Sequence, residues 1–270
     1  MSRLILIIFV IGVIFIVAES SVLSEDILEG VLNAKDGVAI SYEVHKNGFD
    51  SVIIVCPGFY NSKSNRWMQK TVDLLSSEHD VIIFDFRGHG DSSGKYTWSA
   101  KEHLDVDAVL DFAVKEGYKK IGIVAFSLGA AAAVNSAVDR DEIGSMILIS
   151  CPTSFKMINF HFWKLGMFSD LMDNINCKWE GKGARTDHIL IPKEKPIKII
   201  CEIKDVPILF IHGEKDWVVK DLHSRKLYDA TVSKKKIEII KGGLHAERLI
   251  QYQPDRIQEL MLDWFKDTLK

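Results

Sequence analysis

The stretch Ile121-Gly-Ile-Val-Ala-Phe-Ser-Leu-Gly-Ala130 decides the fold. A short apolar run, Ile121 to Phe126, stops at Ser127 and passes at once into the alanine-rich segment Leu128 to Val134, which reads as a helix. Strand, serine and helix with no loop between them demand a very tight turn. Such a turn lifts the serine side chain clear of the backbone and points the first helical N–H groups into the same space. A nucleophile needs that exposure, and an oxyanion needs those donors. The pattern is G-x-S-x-G with Ala125 in place of the first glycine; taken alone, a small-residue packing turn looks the same.

Other apolar runs surround this turn. Ser51 to Cys56, Val81 to Phe84, Met146 to Ile149 and Pro207 to Ile211 are continuously hydrophobic, which indicates strands buried on both faces of a parallel sheet. Ile237 to Ile240 is shorter and more polar and suits an edge. Ile27 to Ala34 and Val38 to His45 alternate around Lys35-Asp36-Gly37 and read as a hairpin. Between the strands lie helical patterns. One covers Ser64 to Ser77, and a second starts at Ser99 with Glu102 completing a capping box. A third covers Leu222 to Val232, with Asp221 as its N-cap. The last opens at Pro254 and carries Ile257, Leu260, Met261, Trp264 and Phe265 as an apolar stripe. Alternating strands and helices predict an α/β fold with a doubly wound, mostly parallel sheet. Ligands of such sheets gather at the carboxyl ends of the strands.

A serine hydroxyl is a weak nucleophile until a base takes its proton, and the base needs an orienting acid. Both stand at later strand ends. Pro207 to Ile211 runs into His212-Gly-Glu-Lys-Asp216, and the final strand runs into Lys241-Gly-Gly-Leu-His245. The chain order Ser, Asp, His is the one expected when the three ride successive strand ends. His89 and His212 compete weakly as the base. His103, His161, His188 and His223 have no glycine-rich strand end behind them. Glu214 sits inside its turn, and the alternative acid position after the preceding strand holds Ser150-Cys151-Pro152, without a carboxylate. Arg87-Gly-His-Gly90 is not a phosphate loop, since neither G-x-G-x-x-G nor a Walker pattern is present. No histidine pair has metal-ligand spacing, and no cofactor is expected.

From Ile27 to Thr268 the chain resembles the α/β-hydrolase family. Five pieces carry the resemblance: Cys-Pro-Gly-Phe-Tyr (56–60), Asp-Phe-Arg-Gly-His-Gly-Asp-Ser (85–92), Ala-Phe-Ser-Leu-Gly (125–129), His-Gly-Glu-Lys-Asp (212–216) and Gly-Gly-Leu-His (242–245). Each is weak singly; five in the right order are specific. The resemblance implies Ser127 as nucleophile, Asp216 as acid and His245 as base. It also implies an oxyanion hole built from the backbone N–H groups of Leu128 and Phe59. The family's usual His-Gly ahead of the second donor is Pro57-Gly58 here. The branch containing monoacylglycerol lipases and serine aminopeptidases is similar. The implied activity is hydrolysis of a small-molecule carboxylic ester through an acyl-enzyme. An amidase, a peptidase or an acyltransferase would use the same three residues, and a non-catalytic binding protein can share the fold.

Between Cys151 and Val206 the strand–helix rhythm breaks while aromatics become dense: Phe155, Phe160, Phe162, Trp163, Phe168 and Trp179. The expected organisation is therefore a core of residues 27–151 and 206–270 with a helical or irregular lid insertion at 152–205. The lid's aromatic content favours an apolar acyl or aryl ester, lipid-like in character. At the other end, Ser2-Arg3 precedes an uncharged run, Leu4 to Ala18, and Ala18-Glu19-Ser20 offers small residues for cleavage. This is the layout of a signal peptide or signal anchor over residues 1–20. The run is short of the roughly 20 residues that cross a bilayer comfortably, which favours cleavage over anchoring. Membrane association through residues 4–18 and a catalytic domain outside the cytoplasm are the corresponding expectations.

Composition is that of an ordinary globular protein, 47% hydrophobic and 26% charged, with a formal net charge of -3. The absence of a basic excess speaks against nucleic acid as a partner. Lys234 to Lys236 reads as a solvated turn ahead of a strand. Four cysteines have neither metal nor redox spacing. Cys56 and Cys151 read as packed thiols, while Cys177 and Cys201 could pair in an oxidising compartment.

Overall fold

A computed structural model of the chain describes residues 26–158 and 183–270. The apolar run Leu4 to Ala18 lies outside them. So do much of the expected lid, Cys177 and His161. Strands β1 (Asp26–Asn33), β2 (Ala39–Lys46), β3 (Ser51–Cys56), β4 (Asp80–Phe84), β5 (Lys120–Phe126), β6 (Ile143–Ile149), β7 (Ile208–Gly213) and β8 (Lys235–Ile240) form one sheet. Its order is β1-β2-β4-β3-β5-β6-β7-β8. β2 runs antiparallel to both β1 and β4, and every other neighbouring pair is parallel. The mostly parallel sheet predicted from the continuous apolar runs is therefore present, with the polar strand β8 at one edge and the hairpin strand β1 at the other.

Helices cover both faces: α1 (Arg66–Leu75), α2 (His103–Lys115), α3 (Ser127–Ala137), α4 (Pro196–Ile199), α5 (Leu222–Ala230), α6 (Glu247–Tyr252) and α7 (Pro254–Thr268). Side-chain alternation along each strand divides the core in two. Val52, Ile54 and Cys56 of β3 join Val106, Val109 and Leu110 of α2 and Ala130, Ala133 and Val134 of α3. Ile53 and Val55 face the opposite way, onto Met68, Val72 and Leu75 of α1 and Ile257, Met261, Trp264 and Phe265 of α7. Each such large side chain contributes roughly 1.5–3 kcal/mol on burial. The apolar stripe read from the last helix is thus its buried face.

Several local readings are corrected. The helix read over Ser64 to Ser77 runs only from Arg66 to Leu75, capped by Asn65, whose side chain accepts the Trp67 N–H. The Ser99–Glu102 capping box does not form. Trp98 and Ser99 have φ of 60° and 70°, so the helix cannot begin there. Glu102 instead accepts the N–H and hydroxyl of Thr97, and α2 starts at His103. Asp221 precedes α5 without a side-chain cap bond and pairs with Arg225. Lys235 and Lys236 already belong to β8, and Lys235 Nζ donates to the carbonyls of Tyr228 and Thr231 at the end of α5.

The described parts of the 152–205 segment are tied to the core. Arg185 and Asp187 exchange backbone hydrogen bonds with Gly88 and Tyr96, while Ile200 and Ile203 are buried in the α2/α3-side core. Cys56 and Cys151 are buried free thiols, whereas Cys201 is an exposed free thiol. No helix among the described residues is long and apolar enough to cross a membrane.

Candidate active site

β5 gives way to α3 between Phe126 and Ser127, and Ser127 takes φ = 49°, a left-handed conformation costly for a residue with a side chain. One glycine makes the turn possible. A Cβ on Gly129 would collide with the Pro57 carbonyl oxygen, so only glycine lets α3 approach the chain leaving β3. Gly58 lies on the other side, where an added Cβ would sit 3.4 Å from both Ser127 Cβ and the Phe126 carbonyl. Ala125, by contrast, is a sheet residue opposite Cys56 and Leu148 with its methyl group in the core. The first position of the turn motif therefore has room for a Cβ here.

Asp216 and His245 come from the ends of β7 and β8. The loop carrying His245 lies against the end of β7 because Gly213 has no side chain; a Cβ there would strike Gly243 and the Leu244 carbonyl. His245 Nδ1 is 2.7 Å from Asp216 Oδ2, and His245 Nε2 is 3.0 Å from Ser127 Oγ. Asp216 is buried, and its other oxygen accepts the N–H groups of Val218 and Val219, each at 2.9 Å. Burial alone would push the carboxyl up. The adjacent His245 charge and the bonds from His212 and His245 outweigh it, holding the group well below its usual range. Asp216 is thus ionised, and it orients His245 with Nδ1 as donor and Nε2 facing the serine.

The Phe59 and Leu128 N–H groups have no acceptor among the described residues. Leu128 is in the first turn of α3, where backbone donors lack intrahelical partners. Both belong to the two segments that meet at Gly58, Ser127 and Gly129. The geometry places a hydroxyl, an imidazole, a buried carboxylate and two free backbone donors at one rim of the sheet. Among the described residues, no group of histidine, cysteine and carboxylate side chains could hold a metal.

Several of the remaining candidates are engaged elsewhere. His212 is fully buried, with Nε2 against the Val219 carbonyl (2.7 Å) and Nδ1 against Ser224 Oγ (2.6 Å). His223 Nδ1 faces the Thr153 hydroxyl at 2.9 Å. His188 is exposed. Glu214 accepts the Gly242 N–H. Arg87 is committed to Asp105 and Asp36, so it does not offer an anion site. Ser150, read only as the absence of an acid, has a specific role in the fold: its hydroxyl accepts the Ala246 N–H, next to His245. A signal for it was available, since it occupies the carboxyl end of a parallel strand beside the histidine loop.

An aromatic wall adjoins the site. Phe59 packs on Trp98 with ring centroids 4.9 Å apart, and Trp98 packs on Phe155 at 5.5 Å. The Ser99 hydroxyl reaches the Leu128 carbonyl at 3.2 Å, fixing this wall to the turn that carries Ser127.

Comparison with known proteins agrees with this architecture. Residues 51–174 match the family model described as alpha/beta hydrolase fold. The human Protein ABHD12B is 27% identical over 203 residues, 70% of this chain and 52% of that protein. This chain thus matches about half the length of that relative. A Saccharomyces cerevisiae protein named as the uncharacterized membrane protein YNL320W is 28% identical over 215 residues, 77% of this chain and 68% of its own. Among solved structures, the Pyrococcus furiosus esterase Pf2001 superposes with a TM-score of 0.74 at 24% identity, over 92% of this chain and 95% of that one. The esterase RhEst1 from Rhodococcus superposes with a TM-score of 0.72 at 18% identity, over 90% and 99%. The strand order, the strained serine turn and the match over residues 51–174 together show that the chain has the alpha/beta hydrolase fold.

Proposed function

We propose that the protein is a serine hydrolase that cleaves a carboxylic ester through an acyl-enzyme on Ser127. The observation that carries this reading is the unbroken chain from Ser127 Oγ to His245 Nε2 (3.0 Å) and from His245 Nδ1 to Asp216 Oδ2 (2.7 Å). His245 takes the hydroxyl proton as Ser127 attacks the carbonyl carbon. Asp216 holds the imidazole tautomer and stabilises the imidazolium. The Phe59 and Leu128 N–H groups receive the oxyanion, each contributing roughly 3 kcal/mol to the transition state. Collapse expels the alcohol, which leaves with the proton from His245. Water then attacks the acyl-enzyme by the same route in reverse.

The aromatic wall of Phe59, Trp98 and Phe155 supports an apolar acyl or aryl group, lipid-like in character. The esterases of the same fold are consistent with ester rather than amide chemistry. The uncharged run Leu4 to Ala18 and the yeast relative's membrane designation support export or membrane attachment, with the catalytic domain outside the cytoplasm.

A fluorophosphonate probe tests the reading directly. Wild-type protein becomes labelled and Ser127→Ala does not; a wild type that resists the probe would indicate a binding protein on a hydrolase fold. A series of p-nitrophenyl esters of rising chain length, run beside aminoacyl anilides, then fixes the class. Preferential anilide cleavage would replace the esterase reading with an amidase or peptidase.

A further inference from the structure

We infer that His89 is a positioning residue for the oxyanion loop, its Nε2 accepting the Tyr60 N–H and so fixing the neighbouring Phe59 N–H beside Ser127. The inference rests on the hydrolase reading above and assigns a chemical role to the 85–92 motif, which the triad leaves without one.

The loop needs such an anchor. Gly58 to Asn61 form a β-turn closed by the Asn61 N–H on the Gly58 carbonyl at 3.2 Å. Its third residue, Tyr60, has φ = 71°, a position that favours glycine and strains a residue with a side chain. The Tyr60 N–H donates to His89 Nε2 at 3.0 Å. His89 Nδ1 faces the Arg87 carbonyl at 3.3 Å. A carbonyl only accepts, so Nδ1 carries the proton and Nε2 offers its lone pair to the loop. The partners on both sides select that tautomer.

The imidazole is suited to stay that way. It is buried and held edge-on by two rings, Tyr96 with centroids 4.7 Å apart and Phe59 at 5.8 Å. Burial, with the Arg185 charge nearby, brings its pKa down to about 4, so the ring is neutral at pH 7. The same strand-end segment grips the loop at a second point. Asp85 Oδ1 accepts the Lys63 N–H at 2.6 Å, while Asp85 Oδ2 takes the Asp91 N–H at 2.8 Å. The Phe59 donor lies between the Gly58 contact with Ser127 and these two anchors. Its position is therefore set by the 85–92 segment rather than by the serine turn alone. An oxyanion donor acts only when it is already aimed at the developing charge, and a displacement of about 1 Å can cost on the order of 10²-fold in rate.

The test compares His89→Leu with His89→Gln in the full chain. Leucine removes the acceptor, whereas the glutamine amide oxygen can reach the same N–H and cannot titrate. With a p-nitrophenyl ester, His89→Leu should lower kcat roughly 30- to 100-fold with KM within about threefold. Affinity for a boronic acid, which mimics the tetrahedral adduct, should fall in parallel. His89→Gln should return kcat to within about fivefold of wild type. Should His89→Leu fail to fold, His89→Asn, whose shorter side chain falls short of the Tyr60 N–H, takes its place with the same expectations. A leucine (or asparagine) variant with wild-type kcat would overturn the inference. So would a glutamine variant as impaired as leucine, since the imidazole would then be acting through its proton chemistry. Ser127→Ala serves as the control. If it keeps wild-type turnover, the hydrolase reading fails and takes the inference with it; if it is inactive while His89→Leu is fully active, the inference alone fails.

Discussion

The hydroxyl of Ser150 accepts the N–H of Ala246 at 3.1 Å, joining the end of β6 to the residue that follows His245. Both residues are strained: Ser150 has φ = 53°, and Ala246 has φ = 46° with ψ = -113°. Such conformations persist only where surrounding bonds over-determine them. Ser150 is in turn held by its N–H on the Ile211 carbonyl, at the strand that leads to Asp216. One serine thus couples the strand leading to Asp216 to the loop carrying His245.

Replacing Ser150 with alanine should therefore loosen His245 without touching substrate. The expected result is a fall in kcat of roughly tenfold with KM nearly unchanged, because the near-attack geometry of Ser127 and His245 is lost part of the time. Ser150→Thr keeps the hydroxyl and should recover part of the rate if the methyl group is accommodated. Steady-state kinetics on one ester decide it; a Ser150→Ala enzyme with unchanged kcat shows that the bond is dispensable.

Gly129→Ala tests the meeting of the two segments proposed to form the oxyanion hole. Its Cβ would collide with the Pro57 carbonyl oxygen and lie 2.8 Å from that of Cys56. Backbone carbonyls cannot swing away as a flexible side chain could, so α3 and the 57–60 loop must separate. Both donors move with them. A loss of at least 10²-fold in kcat/KM is expected, together with a lowered Tm. By contrast Ala125→Gly, at the other glycine position of the motif, should change turnover little, since the Ala125 methyl packs in the core, away from the turn.

Much of this arrangement is legible in the sequence because it is local. Continuous apolar runs reveal β3, β4, β5, β6 and β7, and the glycines around Ser127 and ahead of His245 mark turns that only strand ends require. What stays hidden depends on tertiary partners. The start of α2 shifts because Trp98 and Ser99 adopt positive φ to meet Asp187 and Leu128, which no local propensity reports. Helix α6 begins at Glu247, directly after Ala246, whose positive φ and bond to Ser150 no local propensity reports. His89 and Ser150 both look like ordinary loop residues until their acceptors are seen opposite the oxyanion loop and the histidine loop.

Glu43 provides a pH-dependent prediction about the ground beneath the loop that carries Phe59. It sits in β2 beside His45 Nε2 (3.6 Å), accepts Lys63 Nζ at 2.9 Å and accepts Gln69 Nε2 at 2.9 Å. The His45 contact, then Lys63 and Gln69 against the opposing effect of burial, lower its pKa from 4.5 to about 2. A carboxyl depressed in the folded state stabilises above its unfolded pKa and ceases to do so as pH falls through the folded one. Glu43→Gln should therefore cost roughly 2 kcal/mol at pH 7, and the gap from wild type should narrow from about pH 4.5 toward pH 2. Denaturant unfolding of both proteins across that range measures it. A gap that stays constant down to pH 3 would show that packing, not ionisation, is what the substitution removes.

Asp216→Asn separates orientation from charge. Every partner of the carboxylate is a donor: Val218 and Val219 N–H on Oδ1, and His245 Nδ1 on Oδ2, with His212 Nε2 3.2 Å from that same oxygen. His212 cannot turn its Nε2 into an acceptor, because that nitrogen also faces the Val219 carbonyl. An asparagine that keeps its oxygen on the two valine amides must direct its NH₂ toward His212 and His245. His245 can accept that hydrogen only by surrendering the Nδ1 proton, which moves its own proton to Nε2 and leaves nothing to receive the Ser127 proton. Turnover should fall about 10⁴-fold while KM changes little, and fluorophosphonate labelling should slow in step. If labelling instead proceeds at the wild-type rate while ester turnover is lost, Ser127 does not depend on this imidazole for its activation, and the proton route from Ser127 through His245 to Asp216 must be abandoned.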